Sequence, residues 1–564
     1  MLEKLLPPNS KRRKIAKKIA QKLNIKLTLR VDTNYQQWIQ QNEPNRKQLE
    51  EQRKHKFNIK PKISVIIPLY NTPKKFFDEL VKNMQNQTYA NWELCLADGT
   101  PDKPISFIKK YLKDERIKYK YIGKNKGISG NTNEALTLVT GDYIGLLDHD
   151  DLLPVFSLYE VVKAINENPD VEFLYTDEDK LETTKRPRYG VFFKPDPSPY
   201  TLNSANYICH FSIFKKELMD KLKGFRSEYD GSQDFDIVAR AFEETDKIVH
   251  IPKVLYHWRV HQNSTAGNSD SKPYAFEVGK KVIRDHIKRS LGVDAEVTDG
   301  LTPGSYEVKY LVKGNSRVSI IIDGHEVEED KLKQIIQNVK IATYSNYEII
   351  LISNIKVEGI EKYINPTENS LNDYNKAVEL ADGKYFMIID KNLVKIDKSS
   401  YIDDLVGICQ DPNVGIVGTK LYNEKEQVEH CGIIIGMNGI GDFLYKGAPK
   451  DIGTYMQRLL IIHNVSSVYF KYAMIDKEIF IQNGKFSEEL EGISISIDTS
   501  LKMLKQEKQV VINPIIAICV KQLDQLEKTN EEKIQEKWEK IYEKGDIYFS
   551  PNLSKKNTGL SINI

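Results

Sequence analysis

Lys62-Ile-Ser-Val-Ile-Ile-Pro68 is a short, β-branched, almost wholly apolar run. Such a run is typical of a strand buried on both faces of a parallel sheet. Reading outward from it, Phe76 to Asn86 has helical spacing, and Trp92-Glu-Leu-Cys-Leu-Ala97 is a second strand ending at Asp98-Gly99. Ile117 to Ile122 forms a third strand, Gly127 to Thr140 a helix, and Tyr143-Ile-Gly-Leu-Leu147 a fourth strand. Strand and helix alternate with short loops, so the fold class is α/β with a mostly parallel sheet.

The pattern returns about 255 residues later. Arg317-Val-Ser-Ile-Ile-Ile322 echoes the first strand. Ser345-Asn-Tyr-Glu-Ile-Ile-Leu351 echoes Ala90-Asn-Trp-Glu-Leu-Cys-Leu96, and Gly383-Lys-Tyr-Phe-Met-Ile-Ile-Asp390 echoes Gly141-Asp-Tyr-Ile-Gly-Leu-Leu-Asp148. That period is too long for a solenoid and reads as two copies of one domain. The chain divides into a basic helix and linker (1–60), a first domain (61–314), a second copy (315–524) and a closing helix and tail (525–564).

The 564 residues are 40% hydrophobic and 29% charged, as in soluble globular proteins, and no run approaches the length of a membrane span. The first residues lack an apolar signal region. Five dispersed cysteines fit a reducing cytoplasm and exclude a disulfide framework or a cysteine-based zinc site. The net charge of +3 is uneven. Residues 1–30 hold ten Lys/Arg and one Glu, net +9, leaving 3 − 9 = −6 for the rest. A mildly acidic body argues against nucleic acid as a partner. Residues 10–24 read as a helix whose first turn carries Lys11, Arg12, Arg13 and Lys14. The helix dipole disfavours cations there, whereas an anionic membrane surface attracts them. A solvated basic helix packed on its own domain is the competing reading.

Chemistry concentrates in four places. Asp148-His149-Asp150-Asp151 follows a strand, where α/β sheets bind ligands; its carboxylates repel one another unless a cation such as Mg²⁺ or Mn²⁺ joins them. An Asp-rich turn is the structural alternative. Gly231-Ser-Gln-Asp-Phe-Asp236 opens a helix, where an Asp is often only a cap. Tyr256-His-Trp-Arg-Val-His261 places two histidines four apart. Tyr175-Thr-Asp-Glu-Asp-Lys180 sets further carboxylates after an apolar run.

Together these motifs resemble glycosyltransferase family 2 and its GT-A fold. The resemblance rests on Ser64-Val-Ile-Ile-Pro-Leu-Tyr-Asn71, Gln87-Thr-Tyr-Ala-Asn-Trp-Glu93, Leu147-Asp-His-Asp-Asp151, Gly231-Ser-Gln-Asp234 and Tyr256 to Ser264. It extends to a two-copy subgroup of bacterial surface-polysaccharide enzymes through Leu6 to Arg13, Tyr207-Ile-Cys-His210 and Ser550-Pro-Asn-Leu553. It implies two GT-A domains in tandem, flanked by helical segments, and inverting sugar transfer from a nucleotide-diphosphate donor to a glycan, lipid-linked or glycoprotein acceptor. The implied location is cytoplasmic, peripheral at the inner face of the membrane.

By the same resemblance, Asp150 and His261 hold Mn²⁺ or Mg²⁺, with His257 the competing histidine. Asp234 is the base, and Pro68, Tyr70, Asp98, Asn131 and Asp148 meet the donor. Gly99 stands where many relatives have a second Asp, and Asn131 where many have Arg. In the second copy Asp98 aligns with Ser353, Asp150 with Asn392, Asp234 with Ser496 and Asp236 with Asp498. Lys391 stands beside the former metal position, and no histidine pair follows, so this copy reads as catalytically silent. Two alternatives are a bifunctional polymerase and a non-catalytic glycan-binding subunit. A nucleotidyltransferase is disfavoured because Pro68-Leu-Tyr-Asn71 is not a glycine-rich phosphate loop.

Overall fold

The computed structural model describes residues 32–184, 186–261, 273–521, 523 and 530–564. The proposed basic helix at 10–24 lies outside them. Strand β1 (Ile63–Leu69) runs through the middle of the first sheet, and all its residues but Pro68 are buried. It pairs in parallel with β2 (Trp92–Asp98) on one side and β4 (Tyr143–Leu146) on the other, while β3 (Ile117–Tyr121) continues beyond β2. Then β7 (Ser212–Lys215) runs antiparallel between β4 and β5 (Phe173–Leu181). β6 (Tyr189–Phe192) and β8 (Ile248–Arg259) complete the eight strands, both pairing with β5.

A polar network inside this sheet explains the recurrent Ser and Asn-aromatic-Glu motifs. The Ser64 hydroxyl donates to Glu93 at 2.7 Å and accepts from the Gly141 amide at 3.0 Å. Glu93 also accepts from the Thr140 amide at 2.6 Å and pairs with Lys118 at 2.8 Å. A buried carboxylate needs such partners. These contacts draw the chain out of the helix, which ends at Leu136 rather than at Thr140.

The second sheet repeats the order. Lys362–Ile364, Tyr347–Ile352, Val318–Asp323, Tyr385–Ile389, Met474–Asp476, Val414–Tyr422 and Gln509–Val520 lie side by side as β3, β2, β1, β4, β7, β5 and β8 do, with the same parallel and antiparallel pairings. The network repeats as well. Ser319 donates to Glu348 at 2.5 Å and accepts from Gly383 at 2.9 Å, and Glu348 meets the Asp382 amide at 2.7 Å and Lys362 at 2.8 Å. Reproducing this set at matching positions is strong physical evidence for a duplicated domain.

The segment expected to be a linker before residue 60 instead contains helices Thr33–Asn42 and Arg46–Lys54. Tyr35 and Trp38 are buried against the first domain, and apolar burial of that size holds such a segment in place. The two domains share a buried interface. Tyr200 donates to Asp411 at 2.9 Å, and the Tyr455 hydroxyl donates to the Phe193 carbonyl at 2.8 Å. At the C-terminus, helices Glu531–Lys537 and Glu539–Lys544 meet at Trp538 and pack on the second domain. The tail then reaches back: Asn552 donates to the Pro252 carbonyl at 2.9 Å and to Asp177 at 3.3 Å. No helix among the described residues is long and apolar enough to cross a membrane.

Candidate active site

The acidic loop leaves β4 at the carboxyl edge of the parallel strands, and the end of β8 grips it. The His257 amide donates to the Leu152 carbonyl at 2.8 Å. Asp151 is buried and accepts from the Tyr256 hydroxyl at 2.6 Å and the Arg259 amide at 2.7 Å, so it anchors the loop. The Asp148 amide donates to that same hydroxyl at 3.4 Å. Desolvation of the Asp148 carboxyl by the enclosing walls, then repulsion from Asp150, raises its pKa above the usual range. Burial, then Asp150 and Asp148, does the same to Asp151. Crowded carboxylates of this kind are stabilised in the charged form by a cation.

The histidine pair is divided between two jobs. His261 Nε2 lies 2.8 Å from Asp150 Oδ2, and its ring packs 5.3 Å from Phe76. His257 lies opposite Asp179 in the β5–β8 register, with its Nδ1 2.6 Å from the Asp179 carboxylate. Asp179 also accepts from Tyr35 at 2.5 Å and pairs with Arg188 at 3.1 Å. His257 therefore belongs to a structural cluster, and the geometry brings His261, not His257, to Asp150. Among the described residues no group of three or more His, Cys, Asp or Glu is arranged to hold a metal ion. The Asp150–His261 pair fits Mg²⁺ or Mn²⁺ chemically, since these ions are often held by few protein groups plus water and phosphate oxygens.

Asp234 sits in the first turn of helix Gln233–Glu244, where the dipole favours its charge. Its Oδ2 accepts from Asn206 Nδ2 at 2.9 Å, and its field reaches Asp148. Asp236 is different: it is buried between Arg226 and Arg240, the latter at 2.8 Å, and stabilises the helix. The Gln233 side chain accepts from the Gly231 amide at 2.9 Å and shapes the turn.

At the donor end of the expected site, Tyr70 is 44% exposed just past β1, preceded by the half-buried Pro68. Asp98 is fully buried. Its carboxylate accepts from Tyr119 at 2.6 Å, from the Thr100 amide at 2.9 Å and from the Ile105 amide at 3.0 Å, so here it braces the following loop. Both oxygens have protein donors, so any contact of Asp98 with the donor nucleobase would share a carboxylate that already holds this loop. Asn131 is buried too, accepting from the Lys126 amide at 3.0 Å and donating to Asn125 at 2.9 Å. A Cβ on Gly99 would stand 2.7 Å from Asn131 Nδ2. The two departures from the family pattern are therefore one packed unit.

Three neighbours of the expected site were given no role in the sequence reading, although His210 closes the Tyr207-Ile-Cys-His210 motif. His210 stacks on Tyr256, with ring centroids 4.5 Å apart, and lies within the field of Asp148. Its Nδ1 is 3.3 Å from Glu178, which pairs with the fully buried Lys194 at 3.0 Å. Burial alone would raise Glu178, but Lys194 and His210 outweigh it and hold the group at about 2. Burial would lower His210, but Glu178, Asp148 and Asp151 bring it to about 9. Asn206, on the same segment, touches Asp234. A second signal was the run of consecutive carboxylates Asp177-Glu178-Asp179 inside an apolar strand, each of which requires a distant cation.

The second copy lacks this arrangement. Lys391 pairs at its edge with Glu326 at 3.8 Å, so it is not the cation facing the old site. That cation is Lys471, whose ammonium lies 2.9 Å from Asp390 and 3.5 Å from Asp323. The pairings Tyr143–Lys215 and Tyr385–Asp476 place Lys471 at the position of His210. Asp390 also accepts from Tyr472 at 2.5 Å. Asp498 is held by Lys537 at 2.6 Å, Lys502 at 2.9 Å and Trp538 at 3.0 Å, as Asp236 is held by arginines. Ser496 is buried and accepts from the Phe470 amide at 3.2 Å.

The uncharacterized protein y4gI of Sinorhizobium fredii is 33% identical over 471 residues, covering 78% of this chain and 51% of the relative. The O-antigen biosynthesis protein RfbC of Myxococcus xanthus is 29% identical over 497 residues, covering 85% of this chain and 39% of the relative. The chain thus spans about half or less of the length of these relatives. The S. aureus TarS 1-349 structure aligns at 19% identity and a TM-score of 0.34 over 41% of this chain and 66% of that one. Residues 64–223 match the model described as Glycosyl transferase family 2. The domain that holds those residues, with its loop of acidic side chains at the carboxyl edge of a mostly parallel sheet, matches glycosyltransferase family 2 over residues 64–223.

Proposed function

We propose that the first domain transfers a sugar, with inversion, from a nucleotide-diphosphate donor to an acceptor hydroxyl during synthesis of a bacterial surface glycan. The observation that carries this reading is the convergence of three groups at one strand edge: Asp148, the Asp150–His261 pair at 2.8 Å, and Asp234 on the facing helix. The relative named for O-antigen biosynthesis supports the surface-glycan setting. Asp150 and His261 would hold Mn²⁺ or Mg²⁺, which supplies charge neutralisation for the leaving diphosphate. Exposed Tyr70 offers a flat face to the donor, and Asp98 and Asn131 hold the loops around it. Asp234 takes the acceptor hydroxyl's proton as that oxygen attacks the anomeric carbon from the face opposite the diphosphate.

The second domain is a catalytically silent copy that packs against the first. Its base position is Ser496, and Lys471 already neutralises Asp390. Residues 1–30, net +9, attach the protein to an anionic membrane surface. The decisive experiment is turnover of a panel of UDP-, GDP- and dTDP-sugars by the purified chain and its Asp234→Asn variant. The variant keeps donor binding and loses about 10²-fold or more in transfer. Transfer near the wild-type rate removes Asp234 from the mechanism.

A further inference from the structure

We infer that Asn206 is a positioning residue for Asp234, holding one carboxylate oxygen so that the other faces the acceptor. This rests on the reading of Asp234 as the base. Asn206 Nδ2 donates to Asp234 Oδ2 at 2.9 Å, while among the described residues Oδ1 accepts no hydrogen bond. The amide is itself oriented, because Asn206 Oδ1 accepts from the Cys209 amide at 3.3 Å. A turn three residues long therefore fixes which end of the amide points at the base. The segment behind it is pinned by Lys194, whose ammonium donates to the Ile208 carbonyl at 2.5 Å and to the His210 carbonyl. A carboxylate free to rotate at the start of a helix would present either oxygen; a donor held from behind leaves one orientation.

The second copy provides an independent observation. Lys215 and Asp476 hold the same register position, and counting back from them residue by residue sets Asn206 against Ser467 and Cys209 against Phe470. There, the Ser467 hydroxyl donates to the Ser496 carbonyl at 3.1 Å, and the Phe470 amide donates to the Ser496 hydroxyl. The two segments still touch, but the amide donor and the carboxylate are both gone. Asn206 and Asp234 occur together in one copy and are replaced together in the other, as expected of a pair whose members act as a unit.

A hydrogen bond from an amide stabilises the ionised carboxylate. The charged and titratable groups whose fields meet that of Asp234 include Asp148 from the β4 loop, Cys209 beside Asn206, and Tyr306 from the strand Tyr306–Tyr310, which follows helix Pro273–Leu291. None of these replaces the lost donor.

The test uses the full chain with two variants. Asn206→Ala removes both contacts. Asn206→Asp keeps an acceptor for the Cys209 amide, removes the donor and sets a like charge beside Asp234, which separates support of the turn from support of the base. The direct readout needs no substrate: carbodiimide labelling of Asp234 against pH, followed by mass spectrometry, with the exposed Glu228 in the same 227–240 peptide as internal control. The labelling midpoint of Asp234 is expected to rise by about one unit in Asn206→Ala and further in Asn206→Asp, while that of the control does not move. With the nucleotide sugar that the wild type turns over, kcat falls about tenfold at neutral pH, donor KM is unchanged, and the acid limb of the pH profile moves up. An unmoved Asp234 midpoint in both variants overturns the inference. If the midpoint moves but Asp234→Asn retains full turnover, the reading of Asp234 as base fails while its contact with Asn206 stands.

Discussion

Lys194→Met is the substitution whose consequences the structure constrains most tightly. The Lys194 side chain is fully buried, and the Glu178 side chain it pairs with is 7% exposed. Together, Lys194 and His210 take Glu178 from its ordinary 4.5 to about 2. A depression of roughly 2.5 units corresponds to about 3 kcal/mol of native-state stabilisation at neutral pH. The sign follows from the direction: a depressed carboxyl contributes fully above its unfolded pKa of 4.5 and loses that contribution as pH falls towards about 2. Removing one partner of a buried pair costs about 3–5 kcal/mol. In thermal unfolding at pH 7, Lys194→Met is expected to lower the first transition by roughly 6–12 °C, taking about 2–4 °C per kcal/mol for a domain of this size. The gap to wild type narrows below pH 4.5. Adding Glu178→Gln recovers most of the loss, because it removes the uncompensated charge. A loss below about 1 kcal/mol, or a double variant no better than the single one, refutes the assignment of Lys194 as the counter-ion.

Four further outcomes are expected. Chelation abolishes transfer and added Mn²⁺ or Mg²⁺ restores it, whereas Asp150→Ala fails to respond to added metal; a metal-independent wild type overturns the metal reading. His261→Ala weakens metal dependence, and His257→Ala lowers the thermal midpoint instead, since His257 pairs with the buried Asp179 at 2.6 Å; reversed effects would reverse the assignment. In the second domain, Asp390→Ala strands the Lys471 ammonium and destabilises by about 3–5 kcal/mol, while Asp390→Asn combined with Lys471→Met is milder and leaves product length unchanged by mass analysis; arrest after one sugar would instead support a bifunctional polymerase. Removing residues 1–30 lowers binding to vesicles containing anionic lipid, and the wild-type binding weakens with salt; equal vesicle binding by the shortened chain sinks the membrane reading.

Sequence alone established the periodic features. The β-branched runs at 62–68 and 317–322, and the strand-helix alternation around them, follow from local apolar spacing. The Ser and Glu of each copy are visible as motifs because one buried carboxylate network is used twice. The acidic loop, Asp234 and the histidine pair are also legible as residue types at recognisable spacings. Sequence could not say which of two histidines four residues apart meets Asp150. That choice depends on where β8 ends: His257 lies within the strand, opposite Asp179, and His261 lies beyond it. Nor could sequence identify Asp98 as held by three donors or Asp236 as an arginine-held brace, since a carboxylate's surroundings are set by the donors that meet it in space. His210, Lys194 and Asn206 meet Asp148, Glu178 and Asp234 from segments 16 to 62 residues away. Contacts at such separations leave no periodic trace in the chain. Only the antiparallel insertion of β7 between β4 and β5 brings the 206–210 segment beneath the site. In the second domain the same insertion sets Lys471 against Asp390.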